Sequence, residues 1–294
     1  MKIRRNLHLL IIFMAIVLLL VGCKQNADKN AINPEEDIWT GNYFTQENVI
    51  TPAANDTIIR AKLDGEWKEF PIRTLPPKVM DWDIGKRKET IEDMKKMIMS
   101  RDRNAKGPRL AGPHNGIVAS YGFKRDDSRF KLNNAVKGMG FLPKRDKIKE
   151  VISNLESTNH ESIMKKMDVL VSMYENADSL FDLDKQVSLE LYSVPTFNTQ
   201  TFLNQITNPI STIVFLDIPS FKLKTIVRLL HPDDPGLNNY EKDVVKYINL
   251  VHSYFHGQFS KQFITVVYYI VEVYDDSPGE EDAMGRRIVP QFIY

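Results

Sequence analysis

Six histidines and one cysteine are the side chains of this 294-residue chain best suited to ligate a metal or act as a nucleophile. His252 and His256 are four apart in a segment with helical apolar spacing, so both imidazoles can face one way and offer nitrogen ligands to a transition metal. A zinc site needs at least one further protein ligand, and His231, Asp233 and Glu241 are within reach in sequence. The glutamate that a zinc protease places after its first histidine is replaced by Ser253, so that motif is absent. A pair on the helix surface is the preferred reading, and no metal or cofactor is expected. His114 and His160 stand in turn contexts and suggest no cluster. Gly138-Met139-Gly140 lacks the third glycine and the preceding strand of a phosphate loop, and no serine sits in a nucleophile-elbow turn. The carboxylates of Asp126-Asp127, Asp233-Asp234 and Glu280-Glu281-Asp282 are adjacent rather than spaced, which reads as solvated loop charge. No catalytic constellation emerges, and a non-enzymatic role is expected. The cysteine, Cys23, is the most informative position.

What places Cys23 is the segment before it. Met1-Lys2-Ile3-Arg4-Arg5 is positively charged, Leu9 to Val21 is an apolar run too short for a comfortable membrane span, and small Gly22 precedes the thiol. Leu20-Val21-Gly22-Cys23 resembles the lipobox of bacterial lipoproteins. The resemblance implies that residues 1–22 are a signal peptide cut before Cys23, that the Cys23 thiol carries diacylglycerol and that the new amino terminus is open to acylation. Two or three chains make such an anchor durable, because each buried methylene contributes roughly 0.8 kcal/mol and one chain alone is marginal. The membrane, through this lipid, is then a partner of the protein.

Cleavage leaves residues 23–294, enough for one large domain or two small ones. With Lys2, Arg4 and Arg5 gone, the 39 basic side chains fall to 36 against 38 acidic ones, a formal charge of −2. A chain so close to neutrality has no electrostatic footprint for nucleic acid and no polybasic arm for a membrane surface. With its one thiol alkylated it has no disulfide and must hold together by packing.

Residues 23–55 lack hydrophobic periodicity and read as a flexible tether of ~30 residues, roughly 30 Å root-mean-square as a coil. Trp39, Tyr43 and Phe44 are its exceptions, and docking on the domain is the preferred reading for them. Residues 56–77 hold a candidate β-hairpin in which Asp64-Gly65 forms the turn, with Arg60 opposite Glu69 and Lys62 opposite Trp67. From 82 to 275 the pattern reads as helical. Ile84, Ile91, Met94 and Ile98 share one face, as do Ile148, Val151, Ile152 and Leu155. A capping box at Thr158 and Glu161 leads into Ile163, Met167, Leu170 and Tyr174. Shorter helices are read at Leu183 to Leu191, at Phe202 to Ile206 and at Leu223 to Leu230, then a longer one from Val244 to Phe255. Thr265 to Tyr274 is rich in β-branched and aromatic residues, yet shows no clean alternation, and a buried helix is preferred there. Residues 276–294 read as an acidic loop and loose tail. The expected fold is mainly α, a bundle or repeat-like domain with a possible small amino-terminal hairpin.

The lipobox, the polar tether, and Ala135-Val136-Lys137-Gly138-Met139-Gly140-Phe141-Leu142 through Ile148-Lys149-Glu150-Val151-Ile152 are similar to surface lipoproteins of Borrelia spirochetes, most of all the relapsing-fever type with helical modules. That resemblance implies an outer-surface location, a largely helical domain and a role in host interaction, and it transfers no catalytic or binding residue. Two functions follow as expectations: a surface lipoprotein binding a host or neighbouring-cell protein, or a periplasm-facing scaffold of the envelope.

Overall fold

The computed structural model describes residues 38–100, 111–279 and 284–291. Cys23 and the lipobox lie outside them, as do Glu280, Glu281 and Asp282. Residues Gly41–Tyr294 group as one compact unit, and the description below is of that unit.

The unit is not mainly helical. Helix and strand are present in equal measure, 32% each, around a curled antiparallel half-barrel. Three short strands, β1 (Val49–Ile50), β2 (Ile58–Leu63) and β3 (Glu66–Pro71), form a small sheet of their own. Arg60 faces Glu69 and Lys62 faces Trp67 in the register expected. Asp64 and Gly65 both have positive φ, 54° and 85°, the backbone that a two-residue hairpin turn requires. Helix α1 (Pro77–Ser100) follows.

The large sheet is built from β4 (Asn115–Tyr121), β5 (Leu132–Gly138), β6 (Gly140–Pro143), β7 (Phe181–Glu190), β8 (Ile210–Phe215), β9 (Phe221–Leu230) and β10 (Ile264–Asp275), with β11 (Arg286–Val289) beside the end of β10. Their order is β5-β4-β8-β9-β10-β7-β6. The two ends of this order, β5 and β6, are separated in the chain by Met139 alone. Consecutive Cα atoms are about 3.8 Å apart, so the sheet must curl until its edges meet at that residue. Helices α2 (Ile148–Thr158), α3 (Ile163–Glu175), the single turn α4 (Ala177–Leu180), α5 (Gln200–Thr207) and α6 (Asn239–His256) fill the connections.

Three segments read as helix are strands, and they make the centre of the sheet. The stretch from Leu183 to Leu191 lies in β7 as far as Glu190, that from Leu223 to Leu230 lies in β9, and that from Thr265 to Tyr274 lies in β10. In β10 the cause is burial on both faces, whereas β7 and β9 do carry a period of two, in Asp182 and Asp184 and in Lys222 and Lys224. Residues 264–270 are all buried, so no polar residue marks alternate positions and the period of two vanishes from the sequence. One face of β10 meets α6, where Asn249 reaches Thr265 Oγ1 at 3.5 Å; the other meets α5, where Gln205 reaches the Tyr268 hydroxyl at 3.4 Å. Residues 135–142, placed in the helical body by the Borrelia resemblance, run through β5 and β6 instead.

The amphipathic stripes in α1, α2, α3, α5 and α6 are helices as read. Their caps differ in one case: Thr158 closes α2, and Ser162 caps α3 by accepting from Lys165 N–H. The capping box lies at Asn238 and Glu241, at the start of α6. Part of the expected tether is built into the body. Phe44 is 1% exposed and packs edge-on against Phe202 and His231. Gln46 donates to Val227 O and accepts from Leu229 N–H, acting as a surrogate strand neighbour for β9. The expected loose tail contributes β11, with Arg287 bonded to Glu272 at 3.1 Å.

Candidate functional site

A cavity of about 330 Å³ opens between α1, α3, α6 and the β5–β6 joint. Its floor is apolar and buried: Ile91 from α1, Met173 from α3, Met139 and Phe141 from the joint, Phe181 and Val187 from β7. The floor exists because the sheet edges meet at Met139, so that residues from both edges and three helices converge on one place.

Arg87 holds that convergence. Its Nε donates to Asp83 one turn back, Nη1 to Met139 O at 3.0 Å and Nη2 to Pro113 O at 2.9 Å. The guanidinium also lies over the rings of Phe141 and Tyr174, 5.2 and 5.8 Å from their centroids. One side chain thus ties α1 to the sheet joint, to the segment before β4 and to α3. Burial works against its charge, but Asp83 and Tyr174 more than offset this and hold it protonated. The Tyr247 hydroxyl adds a bond to Phe141 O at 3.2 Å, and its burial raises its pKa well out of the working range.

The mouth is where the histidines are. His252 and His256 do share one face of α6, and that face borders the cavity. His252 is half-buried and His256 exposed. His114, which no local pattern joins to them, lines the same cavity from the segment before β4. Desolvation, then Arg87 and the two other histidines, lower the His114 pKa, and the exposure of the residue to water moderates the effect. Desolvation likewise lowers His252. The rings are therefore neutral at neutral pH.

The third ligands considered for a metal lie elsewhere. His231 packs on Phe44, Glu241 is bonded to Arg228, and Asp233 N–H donates to His231 Nδ1. Among the described residues no three of His, Cys, Asp and Glu are grouped to hold a metal ion. His160 is at the surface near Glu161, 3.8 Å away. Of the adjacent carboxylates, Asp127 pairs with Arg125 in an exposed loop, whereas Asp234 is buried and accepts from Thr45 Oγ1 and Gly236 N–H.

A second surface has a different character. Ser120 and Asn133 face α5, bonding Asn204 and Thr201, so their neighbours Tyr121 and Leu132 project from the opposite face of the β4–β5 pair. Tyr121, Leu132 and Val136 are 55%, 62% and 67% exposed, apolar side chains on the end strand β5 and its neighbour β4. No protein-family model matches the chain, and no curated protein is similar to it.

Proposed function

We propose that the folded unit is a non-enzymatic binding module that holds a small amphipathic molecule in the cavity between α1, α3, α6 and the β5–β6 joint. The observation that carries this is the cavity itself. Its volume, apolar floor and few polar groups gathered at the mouth fit the general form of a small-molecule site. Saturable binding of the apolar dye N-phenyl-1-naphthylamine is the expected result. Leu170→Trp, which puts an indole into the space from α3, should weaken that binding at least tenfold while leaving the thermal midpoint within a few degrees. Binding that does not saturate, or that ignores Leu170→Trp, refutes the reading.

The module is proposed to be held at a membrane of the cell envelope by lipid on Cys23. Leu20-Val21-Gly22-Cys23 and the apolar leader support this. Cys23→Ala is expected to abolish palmitate labelling and to move the protein out of the detergent phase; unchanged partition counts against the anchor. A partner protein is the second reading, favoured by the exposed apolar side chains of Tyr121, Leu132 and Val136, since such patches mark interaction surfaces.

A further inference from the structure

The mouth of the cavity is more selective than its floor. His252 Nδ1 lies 2.9 Å from the carbonyl oxygen of Ile248. A carbonyl oxygen only accepts, so Nδ1 carries the hydrogen and Nε2 of the neutral ring presents a lone pair. Whatever polar group settles against Nε2 must bring a hydrogen with it, or the ring must take up a proton. An ester or ether oxygen meets neither condition without a proton from solvent.

Gly138 defines where that group can sit. A Cβ at this position would stand 3.9 Å from Nε2 of His252 and 3.9 Å from Nε2 of His114. Both Nε2 atoms therefore lie near Gly138, at ordinary contact distance from where a side chain would begin, and both imidazoles line the cavity. His252 offers a lone pair there, and His114 can offer an N–H. That pair of functions matches a carboxyl group, which has one O–H to give and one oxygen to receive. The groups facing this space agree. Arg87 comes from α1, His114 from the segment before β4, Tyr174 from α3, and Tyr247 and His256 from α6; the joint and β7 contribute only apolar side chains. No aspartate or glutamate among the described residues lines the cavity.

We infer that the cavity takes a monocarboxylic amphiphile, its tail on the Met139, Phe141 and Val187 floor and its carboxyl group at the His114 and His252 side, near Gly138, shared between His252 Nε2 and His114 Nε2. This rests on the amphiphile reading above and names the head group. The acid and His252 hold one proton between them, on oxygen or on nitrogen. Free ligand above about pH 6 is a carboxylate and the free rings are neutral, so one proton is taken up with each ligand bound. Affinity therefore falls as pH rises.

The test is calorimetric titration of the chain from Lys24 onward, which contains the whole compact unit, with decanoic acid, 1-decanol and decylamine. Decanoic acid should bind at least tenfold more tightly than either at pH 6. Its Kd should rise about tenfold per pH unit between pH 6.5 and 8, as one-proton linkage requires, while that of decanol stays flat. His252→Phe removes the acceptor and should erase both the preference and the slope, with decanol still bound. Gly138→Val should do the same by filling the head-group space. Equal affinity for acid and alcohol, or a flat pH profile for the acid, overturns the carboxyl assignment and leaves the cavity reading standing. Failure of every probe to bind removes both. Should His252→Phe not fold, the pH slope of the unaltered protein still decides.

Discussion

Arg87→Leu is expected to lower the unfolding free energy by about 3–5 kcal/mol, the cost of breaking a buried ion pair from one side. The side chains of Arg87 and Asp83 are 4% and 2% exposed, so the carboxylate left behind has no water to replace its partner. The carbonyl groups of Met139 and Pro113 lose their donors at the same time. Leucine roughly fills the volume, and its apolar character makes the loss electrostatic rather than a matter of cavity formation. The double variant Arg87→Leu with Asp83→Leu separates the two effects. Removing both charges should recover a large part of the loss, because a well-packed apolar pair is often as stable as a buried ionic one. Urea unfolding of the three proteins checks this. If the single variant loses less than about 1 kcal/mol, Arg87 is not what secures α1 to the sheet joint.

The second large effect is expected at Glu241. Its carboxylate serves three neighbours: Arg228, Thr51 Oγ1 and the backbone N–H of Asn238 in the capping box of α6. Arg228 in turn holds Gln46 O, so the network joins the amino-terminal segment, β9 and α6. Glu241→Ala should cost about 3–5 kcal/mol, since it strands a buried guanidinium and removes half of a capping box. Burial alone would raise the Glu241 pKa, but Thr51, Arg228 and Asn238 together pull it below the ordinary value. A carboxylate whose folded pKa is depressed contributes stability that is complete above its unfolded value of about 4.3 and is lost as pH falls through the folded pKa. The urea midpoint of the unaltered protein should therefore drop below about pH 4.3. In Glu241→Gln the starting midpoint should be lower and the drop smaller. Parallel profiles for the two proteins would show that this carboxylate is not the one responsible.

What was legible along the chain follows from how local each signal is. Asp64-Gly65 between two strand-like runs fixed the β2–β3 hairpin and its register, because turn type and cross-strand charge act over a few residues. The stripes of Ile148, Val151, Ile152 and Leu155, and of Val244, Tyr247 and Ile248, marked α2 and α6, because one face of each helix is wet and the other is not. The same reasoning failed on β9 and β10. In β10 the run is apolar on both faces, so β-branched content is the better guide, whereas in β9 the alternation of Phe221 and Leu223 with Lys222 and Lys224 competes with a helical spacing that starts at Leu223. His252 and His256 lie on one face of α6, which borders the cavity at His252 and reaches open water at His256.

The amino-acid sequence by itself determined the β2–β3 hairpin and the amphipathic helices, each of which is written within about two dozen neighbouring residues. Only the tertiary structure decided that β5 and β6 are the two edges of one curled sheet joined at Met139. It also decided that Arg87 ties that joint to three other elements, and that His114 shares a cavity with His252. Those relations depend on strand order and closure. Closure is set by the summed pairing and packing of distant segments, so no stretch of chain carries it alone.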